Sequence, residues 1–128
     1  MSKLNSIVFN ELSVKYNELY SKEQANLIMN NHPNIIIPKN NYTIIMVDPD
    51  APNGTWLHWL IINGNKTVIK YAKPTPPSGI HRYYIFVYEQ NYTIDVQPIE
   101  KRNDFKLKDF VDKYNLLLKY KFKFRVGG

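Results

Sequence analysis

The chain contains no cysteine and only five glycines among its 128 residues. The first absence excludes disulfides, thiolate catalysis and cysteine-ligated zinc or iron–sulfur centres. The second leaves no glycine-rich loop to cradle a nucleotide phosphate, and no serine sits in a nucleophile elbow. No apolar run approaches the roughly 20 residues of a membrane-spanning helix, and the opening MSKLNSIVFNELSVKY lacks the uninterrupted apolar core of a secretion signal. A cytoplasmic location is the expectation. No repeat, low-complexity tract or linker divides the sequence, so residues 1–128 read as one domain.

What is present is an ordinary globular composition, 44% hydrophobic and 22% charged, which argues against disorder. The net charge of +6 is unevenly placed: residues 1–100 hold eight basic and eight acidic side chains, residues 101–128 nine and three. Near the C-terminus Lys119, Lys121, Lys123 and Arg125 alternate with Tyr120, Phe122, Phe124 and Val126. That period of two describes a strand with one buried and one basic face. The basic face reads as protection of a sheet edge or as steering of anionic partners, peripheral membrane contact included. Nucleic acid is not expected, because the aromatic residues of this strand alternate to the opposite face. Four N-x-T sequons, at Asn41, Asn53, Asn65 and Asn91, reflect a high asparagine content. Together with Lys well in excess of Arg, this points to an AT-rich genome such as that of a parasite or a large DNA virus.

Short β-branched or aromatic runs bounded by Asn, Gly or Pro predict strands at Ser6–Phe9, Leu12–Tyr16, Asn34–Ile37, Tyr42–Asp48, Leu57–Asn63, Thr67–Tyr71, Arg82–Glu89 and Lys119–Val126. YTIIMV and LHWLII are apolar on both faces and read as central strands. Ser21–Asn30 has the makings of a short helix, with Ser21 as N-cap and Gln24 at the capping-box position. A second helix is predicted over Asn103–Leu118, where Phe105, Leu107, Phe110, Val111, Tyr114, Leu117 and Leu118 approximate a stripe. The fold class is therefore all-β with minor helix, an antiparallel β-sandwich.

Two of the three histidines fall with an acidic pair in the proline-rich middle of the chain. Asp48 and Asp50 lie in VDPDAP, His58 in TWLHWL and His81 in PTPPSGIHRYY. Pro49 forces the chain out of the sheet where the carboxylates appear, so Asp48, His58 and His81 can meet at neighbouring strand ends. A histidine whose far nitrogen is held by a carboxylate presents the other nitrogen in a fixed direction, and the carboxylate is expected to raise its pKa. Anions should then bind better as pH falls. His32, in NNHPN, is expected on a surface loop.

The segments VDPDAPNGTWLHWLIIN and PTPPSGIHRYYIFVYEQ resemble the two signature motifs of the phosphatidylethanolamine-binding protein family, which includes Raf kinase inhibitor protein and the plant flowering-time regulators. The flanking LSVKY, HPNIII, FKLKDFVDKYNLL and KYKFKFRV segments agree in order. The resemblance implies a large central sheet packed on a smaller one, with a small anion pocket at one end. Its pocket residues would be Asp48, Trp56, His58, Pro76, Pro77, His81 and Tyr83, braced from behind by Asp50 and Arg82, and Ala51-Pro52 would be a cis peptide. It implies non-catalytic binding of a phosphorylated side chain, a phospholipid head group or another anion, in a regulator of signalling whose partners include kinases, with no cofactor. The sequence departs from the family pattern at Leu57, where many relatives have a second histidine. It also lacks the C-terminal segment that usually follows the last strand, so the pocket is expected to be more open there. Two other readings of the same Asp and His residues are an acid–base or metal-assisted hydrolase, and an interaction scaffold with a vestigial pocket.

Overall fold

In the computed structural model, residues 2–36 and 41–128 are described. Eleven elements follow one another: β1 (Ser2–Lys3), β2 (Ser6–Phe9), β3 (Leu12–Lys15), β4 (Leu19–Tyr20), α1 (Lys22–Ile28), β5 (Tyr42–Asp48), β6 (Trp56–Ile62), β7 (Lys66–Ile69), β8 (Ile80–Glu89), α2 (Leu107–Lys113) and β9 (Leu117–Gly127). Seven strands make one sheet in the order β1-β9-β8-β5-β6-β7, with β4 also on β9; β2 and β3 pair separately. The long strands are antiparallel, but β1 and β4 run parallel to β9. The expectation of a large sheet over a small one holds, with this mixed edge added and a helix in each of the two expected segments.

The alternation of side chains sorts the core into two clusters. On one face Met46, Tyr83, Ile85, Phe122 and Phe124 pack under the small sheet and α1, through Phe9, Val14, Ala25 and Met29. On the other, Ile45, Val47, Leu57, Leu60 and Ile62 pack beneath Ile94, Leu116 and, from α2, Phe110 and Val111. β5 is apolar on both faces because both are covered, as its sequence required.

Local chemistry explains the turns and the helices. Asn10 and Glu11 both take left-handed backbone angles, φ 46° and 67°, and join β2 to β3 in a two-residue turn whose twist suits a hairpin. α1 carries the predicted capping box, with Ser21 Oγ accepting from the Gln24 amide and Gln24 Oε1 accepting from the Ser21 amide. α2 is much shorter than Asn103–Leu118. Left-handed Asp104 (φ 56°) and Asn115 (φ 52°) bracket it, and Leu117 and Leu118 already belong to β9. The predicted strand at Asn34–Ile37 is reduced to a single bridge between Val8 and Asn34, its last residue lying outside the described part. Among the described residues no peptide bond is cis, so Ala51-Pro52 is trans, contrary to expectation.

The basic strand is also placed differently from the expectation. β9 is not an open edge: β8 flanks it on one side along ten residue pairs, and β1 and β4 cover parts of the other. On its outer face Lys121 and Lys123 lie over the ring of Tyr84 at 5.4 and 5.8 Å, and Arg82 at 5.9 Å. Tyr84 itself stacks on Phe86, with ring centroids 5.6 Å apart. Aromatic rings from β8 thus do interleave with the lysines of β9, although β9's own aromatics face the core as expected.

Candidate functional site

At one end of the large sheet β5, β6 and β8 bring three polar side chains out of an apolar interior. Asp48, His58 and His81 are 4%, 5% and 7% exposed. They share a cavity of about 530 Å³ with Trp56, Pro77 and Tyr83.

Asp48 is the last residue of β5, and the turn beyond it is closed by its own side chain: Oδ1 accepts from the Asp50 amide at 2.8 Å. Oδ2 lies 2.7 Å from Nδ1 of His81, on β8. His81 and Tyr83 fall on one face of that strand, their rings stacked at 6.5 Å, as the period of two predicted. Burial, with the negative charge of Asp48 next, pushes the Tyr83 phenol well above its ordinary range, so the hydroxyl stays a donor.

His58 reaches the cavity by a device that alternation does not reveal. Met46 pairs with Trp59 and the next residue, Val47, pairs with Leu57, leaving His58 as the extra residue of a β-bulge. Bulges re-aim side chains in this way. Leu57 joins the core beneath α2 and Trp59 the core beneath the small sheet, while the extra residue turns to the cavity. Backbone groups of the bulge are tied to neighbouring segments: the Ala72 amide donates to the His58 carbonyl at 2.9 Å, and Leu57 N donates to the Arg102 carbonyl at 2.8 Å. In turn the Arg102 guanidinium donates to the carbonyls of Leu57, His58 and Lys70 at 3.2, 3.1 and 2.8 Å, and it lies 5.1 Å above the ring of Trp56.

The Nδ1 of His58 is 2.7 Å from the carbonyl of Ala72. Burial pushes the ring's pKa down to about 4, against the Ala72 hydrogen bond and the charge of Asp48, which favour protonation; Arg102 and His81 add to the depression. The expectation of a raised histidine pKa is therefore reversed at His58, because desolvation outweighs the carboxylate.

Asp50 and Arg82 sit beside the pocket as a bracket. Arg82 donates to both carboxylate oxygens of Asp50 through Nε and Nη2 at 3.0 and 2.8 Å, and its backbone amide donates at 2.7 Å. Hydrogen bonding from Arg82 holds the Asp50 carboxyl below its ordinary range.

Of the residues singled out from sequence, Pro76 is the exception: it is buried but does not line the cavity, whereas Pro77 does. Residues not singled out complete the wall, among them Ala72, Lys73, Thr75, Asn53 and Asn103. Lys73 brings a cation to the rim, its Nζ 3.3 Å from Asn30 Oδ1. Arg102 was also missed: it sits in a charged stretch that reads as a solvated loop, and nothing in the sequence says that three backbone carbonyls need it. His32 lies on an exposed loop as expected, yet stacks on Trp59 at 5.0 Å. Among the described residues no group of three or more His, Asp or Glu is arranged to hold a metal ion.

A large sheet layered between a smaller sheet and a helix matches what comparison finds. Residues 15–119 match the phosphatidylethanolamine-binding protein family, and the chain belongs to it. Protein TWIN SISTER of FT from Arabidopsis thaliana is 36% identical over 93 residues, 61% of this chain and 53% of that protein. Putative odorant-binding protein A5 from Drosophila melanogaster is 33% identical over 101 residues, 62% of this chain and 48% of that protein. The chain thus spans about half the length of the curated relatives it matches. Two crystal structures share the fold. One is a carboxypeptidase Y inhibitor in complex with its cognate proteinase, at TM-score 0.75 and 20% identity, covering 95% of this chain and 81% of that one. The other is a putative phosphatidylethanolamine-binding protein homolog from Chlamydia trachomatis, at TM-score 0.61 and 17% identity, covering 95% and 97%. Family membership supports a ligand-binding or regulatory role in general, and members of the family are generally non-catalytic regulators. No described helix is long and apolar enough to cross a membrane.

Proposed function

We propose that the chain is a non-catalytic binding module that takes a phosphate-like anionic group into the cavity walled by Asp48, Trp56, His58, Pro77, His81 and Tyr83, and that it regulates signalling partners through that group. The observation that carries this reading is the buried pairing of His81 with Asp48 at 2.7 Å, inside a cavity of about 530 Å³. With Nδ1 facing the carboxylate, the other ring nitrogen of His81, Nε2, is directed away from Asp48 in a fixed orientation. Lys73 on the rim and the amides of Asn53 and Asn103 add donors, and Trp56 supplies a flat apolar wall. The basic outer face of β8 and β9, with Lys121 and Lys123, would draw acidic partners by long-range attraction. Ser78 is exposed and outside the cavity lining, so it supplies no nucleophile to the cavity.

Titration with phosphoserine, phosphotyrosine and phosphoethanolamine tests this reading, with the ring signals of His58 and His81 followed by NMR. Saturable shifts of both rings are expected, and their loss in His81→Ala. Partner capture that survives His81→Ala but fails on substitution at Asn53 or Gly54 would favour the scaffold reading instead.

A further inference from the structure

The hydrogen bond of His58 has a consequence for which anion the cavity takes. A backbone carbonyl can only accept, so the 2.7 Å contact with Ala72 places the ring proton on Nδ1. In the neutral ring Nε2 is then a bare lone pair. That nitrogen has no hydrogen-bond partner among the described residues, although its ring is only 5% exposed and lines the cavity. The groups packed around the ring are Asp48 from β5, His81 and Tyr83 from β8, Trp56 from its own strand, and Arg102 from the segment before α2. Burial keeps the ring neutral down to a pH of about 4. The wall at His58 therefore accepts a hydrogen bond and does not give one.

A fully ionised phosphate oxygen set against that lone pair meets no donor, whereas a P–OH group meets an acceptor. A phosphate monoester as its monoanion carries one such hydroxyl together with anionic oxygens for Lys73 and the amide donors of the wall, while a phosphodiester carries no hydroxyl. Building on the anion-pocket reading above, we infer that His58 is the specificity-determining residue of the cavity, accepting a hydrogen bond from the P–OH of a singly protonated phosphate monoester and disfavouring both the dianion and phosphodiesters. Free phosphate and phosphorylated side chains offer this hydroxyl. A phospholipid head group, as a diester, does not, although an ethanolamine ammonium could donate in its place.

The experiment compares methyl phosphate, dimethyl phosphate and glycerophosphoethanolamine on the intact chain, by chemical-shift titration from about one pH unit below to two above the second phosphate pKa, which is about 6. Methyl phosphate is expected to bind at least about tenfold more tightly than either diester at the acid end. The ratio to dimethyl phosphate should then fall by up to about tenfold per pH unit above that pKa, as the monoanion is depleted. In His58→Asn, where an amide can turn its donor to the cavity, the ratio should lose its pH dependence. If that variant fails to fold, the wild-type ratio decides alone. Equal, pH-independent binding of methyl and dimethyl phosphate would overturn the inference while leaving the anion pocket standing. Glycerophosphoethanolamine binding as tightly as methyl phosphate would also overturn it, in favour of the ammonium. Failure of all three to perturb His58 or His81 would overturn both.

Discussion

Nδ1 of His81 and Oδ2 of Asp48 lie 2.7 Å apart, each side chain less than one-tenth exposed. The two residues are 33 positions apart in the sequence, and their meeting ties the end of β5 to the start of β8. Asp48 also accepts the Asp50 amide, so one carboxylate closes the turn and orients the imidazole. Asp48→Ala should remove both functions, leaving a buried ring and an amide without their acceptor. A loss of about 1–3 kcal/mol is expected from such unsatisfied groups, read by urea denaturation, together with loss of phosphoserine binding by NMR.

Arg102 supports the other half of the site. Its three carbonyl acceptors include those of Leu57 and His58, the residues of the bulge. Arg102→Met keeps much of the side-chain bulk but strips the donors, and about 1–3 kcal/mol of stability should be lost. Ligand affinity should weaken as Trp56 and His58 loosen, with the His81 ring signals of the free protein unchanged.

Stability should depend on pH through His58. Its pKa is about 4 in the fold against 6.5 in the unfolded chain, so the unfolded state binds the proton first. The contribution is complete above pH 6.5, declines as pH falls towards 4, and is gone below it. Its size is about 3 kcal/mol. Urea denaturation of the wild type against His58→Asn over this range isolates the effect, and a wild type as flat as the variant would contradict the burial argument.

The loop after Asp50 has little freedom to change. Gly54 has φ +87°, and a Cβ there would come within 2.9 Å of Asp104 Oδ1 and 3.0 Å of the Asp104 Cα. The side-chain oxygen can move aside, but the backbone carbon is tied down by the neighbouring bond from the Phe105 amide to the Thr55 carbonyl. Gly54→Ala should lower stability by about 1 kcal/mol or more, seen as a lower Tm, and should weaken anion binding by displacing Asn53 from the cavity wall.

Much of this architecture is legible in the chain because the physics that builds it is local. Strands β5 and β8 are written in runs of Ile, Val and Tyr, Pro49 marks where β5 must stop, and Ser21 with Gln24 announces α1. The convergence of Asp48 and His81 follows from those strand ends. What the sequence hides depends on distant partners. The bulge that turns His58 into the cavity is set by pairing with Met46 and Val47 and by the Arg102 guanidinium, none of which a period-of-two reading contains. The two-residue strands β1 and β4 exist only because β9 offers them an edge. The long apolar stripe from Phe105 to Leu118 is divided between helix and strand because Asn115 turns the backbone left-handed, which allows Leu117 and Leu118 to join the sheet. The depressed pKa of His58 needs the depth of its burial, a quantity no motif supplies.

The central claim, that Asp48, His58 and His81 form one anion-binding pocket, is tested most directly by following both imidazole rings in 15N-edited NMR spectra while phosphoserine is added. The His58 and His81 signals are expected to shift together along one saturation curve, and His81→Ala to abolish the shift at His58. Rings that remain unperturbed at high millimolar phosphoserine, or that respond with unrelated affinities, would contradict it.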